Sequence, residues 1–135
     1  MSSGAGTGEA TLARLKSEVA SFKKAYEKLK DFLTGAEYDV SDVRGLLHEL
    51  KERMSYICAL MAMRVAEEGR VSEFEPILRA FRSMEEELVR SIDVALVMIE
   101  WYPKDKLRFV IQVSLALSKV RIEDFKVFLD LLLAS

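Results

Sequence analysis

One apolar stripe constrains this chain more than any other feature. Leu12, Leu15, Val19, Phe22, Tyr26, Leu29 and Leu33 follow one another in alternating steps of three and four. That spacing lays a single greasy line along an α-helix and nowhere else. Lysines and glutamates fill the opposite side. Gly35, just past Thr34, is placed to close the helix in the left-handed conformation that glycine enters without steric cost.

The pattern recurs. Val43, Leu46, Leu47, Leu50, Met54, Ile57, Met61 and Val65 predict a second helix that starts near Asp39 or Ser41 and stops at Gly69. A third follows, with Ser72 and Glu75 spaced as a capping box and Pro76 in its first turn. Its polar stripe is Glu75, Arg79, Arg82, Glu86, Arg90, Asp93 and Glu100, and Pro103 stops it. "SMEE" at Ser83 marks a place for a kink. The last segment reads two ways. The odd positions from Leu107 to Leu117 are all apolar, a strand's period, whereas Asp105, Arg108, Gln112, Ala116, Lys119, Glu123, Lys126 and Asp130 form a helical polar stripe. The longer pattern favours a helix; a strand stays open.

The expected fold is therefore all-α: an antiparallel bundle of four long helices, each about 37–45 Å long, joined by short links at residues 35–38, 69–71 and 103–104. A flexible segment, residues 1–8, precedes one helical-bundle domain at 9–135. With 135 residues, half of them hydrophobic and 31% charged, the chain can bury one core. The single cysteine, Cys58, rules out an internal disulfide and suits a cytoplasmic setting. No apolar run is long enough to span a membrane, and no basic-then-apolar leader opens the chain.

Net charge is −2, but its distribution is uneven. Residues 1–35 and 104–135 each carry +2, and residues 36–69 and 70–103 each carry −3. In an up-down-up-down bundle the first and fourth helices are neighbours. The basic segments would then share a flank suited to a polyanion or to another copy of the chain. Lys23 and Lys24 are candidates on that flank.

Chemistry finds little footing. His48, the only histidine, sits in "HELK", which resembles the phosphorylated stretch of sensor kinases and phosphotransfer bundles. Glu52, four residues on, would put a like charge beside a phosphohistidine, so a structural histidine is the simpler reading. One histidine and one cysteine do not make a structural zinc set, no Glu-x-x-His pair suggests a di-iron site, and no cofactor or small-molecule substrate is expected. Cys58 lies about three turns from His48 among apolar neighbours and reads as core. "GAGTG" at residues 4–8 has no preceding strand, so it is no dinucleotide fingerprint. "LLHELKERM", with Arg53 and Arg64, is similar to the first helix of all-helical chorismate mutases, but "EFEPIL" stands where their later Arg-Glu pair belongs. Met54, Met61, Met63, Met84 and Met98 read as core filler, and Trp101 and Tyr102 as a cover for the bundle's end.

One resemblance gives a direction. "SDVRGLLHELK" is similar to the Ser-x-Ile-Arg-x-Ile-Phe-x-Glu-Val-Lys-type helix of the small all-helical subunit of type III CRISPR–Cas effector complexes. Ser41, Val43, Arg44, Leu46, Leu47, Glu49, Leu50 and Lys51 take the matching places. Leu60 through Gly69 and Arg70 has the spacing of that family's Leu-to-Gly-Arg helix end, and "VRSIDVALVMIEWY" is loosely like a later helix. The likeness covers about residues 38–102. It implies a non-enzymatic subunit of an antiviral-defence ribonucleoprotein. Such a subunit would stack in several copies along guide–target RNA and touch its backbone rather than its bases. Arg44, Lys51 and Arg70 match the motif as RNA-binding residues, with Arg64 beside them. Expected partners are thus the RNA backbone and other protein subunits, with self-association. The alternative is a helical interaction or scaffold module that self-associates without nucleic acid.

Overall fold

The computed structural model describes the backbone of residues 3–116 and the side chains of residues 10–114. It is all-helical, with no strand among the described residues. Four helices pack together: α1 (Ser3–Leu33), α2 (Val40–Glu67), α3 (Val71–Trp101) and α4 (Leu107–Ala116), the last preceded by a 3-10 turn at Lys104–Lys106. The backbone of α1 begins at Ser3, inside the stretch expected to be flexible.

Two glycines do what their positions predict. After α1, Gly35 takes φ +130°; its N–H reaches the Phe32 carbonyl at 3.2 Å and the Ala36 N–H reaches Asp31 at 2.9 Å. After α2, Gly69 takes φ +67°, its N–H bonds Ala66 at 3.0 Å and the Arg70 N–H bonds Val65 at 3.1 Å. Both are Schellman closures, in which a left-handed residue folds the chain back so that two orphan carbonyls find donors. Asp39 caps α2, and its own N–H is held by the Asp42 carboxylate at 3.2 Å. The start of α3 differs from expectation. Arg70 is the N-cap and the helix begins at Val71, so Ser72 lies inside it and the expected capping box is not used. Because the Gly69 closure reverses the chain within one residue, the next helix starts at once. Pro76 consequently sits in the second turn rather than the first. Helix α3 runs without a break through Ser83.

The residues buried at the centre are those of the stripes: Leu15, Val19, Phe22 and Leu29 from α1, Val43, Leu47, Leu50, Met54, Ile57 and Met61 from α2. Phe81, Leu88, Ile92 and Ala95 of α3 and Leu107 and Ile111 of α4 complete one continuous cluster. The strand alternative for the last segment is overturned over residues 107–116. Burial there falls on Leu107, Val110, Ile111 and Ser114, while Phe109 and Val113 are exposed. Those are steps of three and four, not two. The stripe beyond Ala116 (Lys119, Glu123, Lys126, Asp130) lies outside the described residues.

Cross-links fix the helices to one another. Thr11 donates to Glu67 at 2.9 Å, Arg14 to Tyr56 at 2.9 Å, and Arg53 to Glu18 at 2.8 Å, so residue numbers fall on α2 as they rise on α1. Between α2 and α3, Arg44 meets Glu100 and Lys51 meets Asp93 in the same descending order. Helix α4 packs mainly on α3, with the Ser114 hydroxyl 3.4 Å from Met98 Sδ. It touches α1 at that helix's C-terminal end: Arg108 donates to the carbonyls of Phe32 and Ala36, each at 2.8 Å, and lies 5.1 Å from the Phe32 ring. A cation there also faces the negative end of the α1 dipole.

Candidate functional site

Helix α2 presents a different edge to each neighbour. Toward α1 it offers Glu49, Arg53 and Tyr56; toward α3 it offers Arg44, Lys51 and Cys58. Arg44 and Lys51 are two turns apart and stand on the same edge, as their seven-residue spacing requires. Each is tied across the seam, Arg44 to Glu100 at 2.7 Å and Lys51 to Asp93 at 2.6 Å. The cations keep 40% and 36% of their side-chain surface exposed, and the acids more. Pairs this open to water contribute about 0–1 kcal/mol each, because solvent screens them. They can exchange partners at little cost.

Arg64 and Arg70 form a second cluster, at the α2–α3 turn. Arg64 lies 2.8 Å from Glu68, and Arg70 lies 2.8 Å from Glu73 and 3.6 Å from the same Glu68. The Arg70 guanidinium also covers the Phe74 ring at 4.4 Å. The Glu73 carboxylate, hydrogen-bonded by Arg70, is held below its ordinary pKa, and Arg70 is raised for the same reason. Lys24 is exposed and Lys23 half-buried on α1, which packs on the other flank of α2. The six expected RNA-binding cations thus fall into three groups, and only Arg44 with Lys51 and Arg64 with Arg70 are brought together.

His48 is exposed on α2 and borders a shallow depression of about 460 Å³. Glu18, Glu49 and Glu52 line it, with Arg53 as the cation in its wall. Arg53 is already engaged by Glu49 at 3.0 Å and Glu18 at 2.8 Å, and the Glu49 hydrogen bond, then Glu18, raises its pKa. A phosphoryl group on His48 would meet carboxylates and no uncommitted cation in this wall, which works against phosphotransfer.

Cys58 is half-buried in a cleft of about 210 Å³ shared with Leu78, Phe81, Arg82 and Glu85. Burial, and then the Glu85 carboxylate, push its thiol well above the ordinary range. It stays protonated at neutral pH and is a poor nucleophile. Among the described residues no group of three or more His, Cys, Asp and Glu side chains could hold a metal ion, and no helix is long and apolar enough to cross a membrane.

Sequence reasoning misplaced a set of apolar residues. Trp101 is 80% exposed and Tyr102 48%, so neither covers the bundle's end. Met63 is 50% exposed rather than core, although Met54 and Met61 are fully buried. Val94, Val97, Phe109 and Val113 also face out. The available signal was a second line of apolar residues on α3, Val94, Val97 and Trp101, opposite the buried Leu88, Ile92, Ala95 and Ile99.

No protein-family model, curated protein or solved structure matches the chain.

Proposed function

We propose that this chain is a non-catalytic, RNA-binding subunit of a ribonucleoprotein, an antiparallel four-helix bundle that touches the nucleic-acid backbone along the α2–α3 seam. The descending cross-links from α1 to α2 and from α2 to α3 support the bundle arrangement. The observation that carries the functional reading is the placement of Arg44 and Lys51. They are two turns apart on one partly exposed edge and held outstretched by weak pairs. A phosphate can displace an exposed carboxylate at small cost, and contact with successive phosphates reads no sequence. The likeness of residues 41–51 to the type III CRISPR–Cas small subunit supplies RNA as the polyanion.

A protein-only scaffold is the second reading. It is favoured by the compensation of Arg44 and Lys51 by Glu100 and Asp93, and by the exposed Val97, Trp101 and Phe109. Titrating a fluorescent mixed-sequence single-stranded RNA with purified protein, followed by anisotropy, separates the two. Backbone binding gives saturable association at ~50 mM salt that weakens strongly by ~200 mM. A flat trace at both salts supports the scaffold.

A further inference from the structure

Helix α3 carries a stripe that no other part of the described structure covers. Arg90, Val94, Val97 and Trp101 are all exposed, the last three by 38%, 58% and 80%. With 3.6 residues per turn they share one face, opposite the buried Leu88, Ile92, Ala95 and Ile99. Their spacing is four, three, four, which is the seam spacing of paired helices. It is also a palindrome. A second α3 running the opposite way sets Val94 against Val97 of the other copy, twice, and Arg90 against Trp101, twice.

We propose that α3 pairs antiparallel with α3 of a second copy of this chain through Arg90, Val94, Val97 and Trp101. Charge selects this orientation. Antiparallel pairing lays the guanidinium on the indole face, an attractive contact. Parallel pairing would set arginine on arginine. Exposed Glu86 precedes the stripe, while exposed Lys104 and Lys106, with Asp105 between them, follow it, so one end is acidic and the other net basic. The antiparallel pair brings acidic end to basic end, and a parallel pair would bring like to like. The contact is isologous and closes at two copies, unlike the open stacking along RNA that the family resemblance implies. Two valines and one tryptophan per copy make a small seam, so the dimer is weak.

The experiment uses the full chain without RNA, so its outcome is independent of the RNA reading. In sedimentation equilibrium the wild-type mass rises from monomer toward dimer, with a midpoint on the order of 10–100 μM. Val97→Glu, at an exposed position, keeps the helical signal and melting temperature and moves that midpoint up by at least about tenfold. Orientation is read by cross-linking in a Cys58→Ala background. In the antiparallel pair Arg90→Cys on one chain adjoins Trp101→Cys on the other, whereas identical positions lie about 16 Å apart along the axis. Mixed chains therefore form a disulfide dimer under mild oxidation, and either variant alone does not. A monomer at every concentration, a Val97→Glu protein that dimerises like wild type, or cross-linking by a single variant as fast as by the mixture would each overturn the proposal.

Discussion

Phe81→Ala lowers the stability of the chain by about 3–5 kcal/mol, a large share of the roughly 5–15 kcal/mol that holds a domain of this size together. Phe81 is 1% exposed and sits where α3 meets α2, within the central cluster. Its ring also walls the 210 Å³ cleft beside Cys58 and Leu78. Removing it merges the new void with an existing one. The lost packing of a fully buried ring places the cost within that range. Urea unfolding followed by circular dichroism reports this as a fall in midpoint at unchanged slope. Phe109→Ala, at a ring that is 66% exposed, is the control and stays within about 0.5 kcal/mol of wild type. A Phe81→Ala loss no larger than the control's would mean that α3 does not dock as described.

The double substitution Arg44→Glu with Lys51→Glu weakens RNA binding by about 100-fold at ~50 mM salt. An exposed charge about 4 Å from a phosphate is worth about 1 kcal/mol in water, so reversing its sign costs about 2 kcal/mol before screening by salt. Two such sites give the stated factor after that discount. The salt dependence also flattens. Each single-strand phosphate that is no longer neutralised takes roughly 0.7 off the slope of log affinity against log salt, so two take off about 1.4. Folding changes little. The two new glutamates do face Glu100 and Asp93, but the pairs they replace are exposed and weak. Binding that survives with an unchanged slope would show that the seam does not touch RNA.

Much of the fold is legible in the sequence itself. The stripes of α1 and α2 mark their buried faces because an apolar residue every three or four positions has one physical solution. Gly35 and Gly69 mark the ends because their φ values are ones other residues avoid. The start of α3 is less readable. Ser72 and Glu75 have the spacing of a capping box, but the Schellman closure at Gly69 has already aimed the chain into a helix at Val71. The exposure of Trp101 is hidden for another reason. Periodicity reports which side of a helix is apolar, and α3 has apolar residues on two sides; only the position of its neighbours shows which is buried. The partners of Arg44 and Lys51 are not readable at all. Those pairs span 56 and 42 residues and depend on the register between two helices, which no local pattern encodes. The basic flank expected of α1 and α4 fares similarly, since the described part of α4 rests mainly on α3 and reaches α1 through Arg108.

The most direct test of the RNA-binding claim removes the competing acids and leaves the cations alone. In Asp93→Asn with Glu100→Gln, Lys51 and Arg44 keep their positions but lose the carboxylates that neutralise them. Anisotropy titration against the same RNA should then show binding tighter than wild type by about tenfold at ~50 mM salt, with a steeper salt dependence. Affinity equal to wild type, or no binding by either protein, would contradict a backbone-contacting seam.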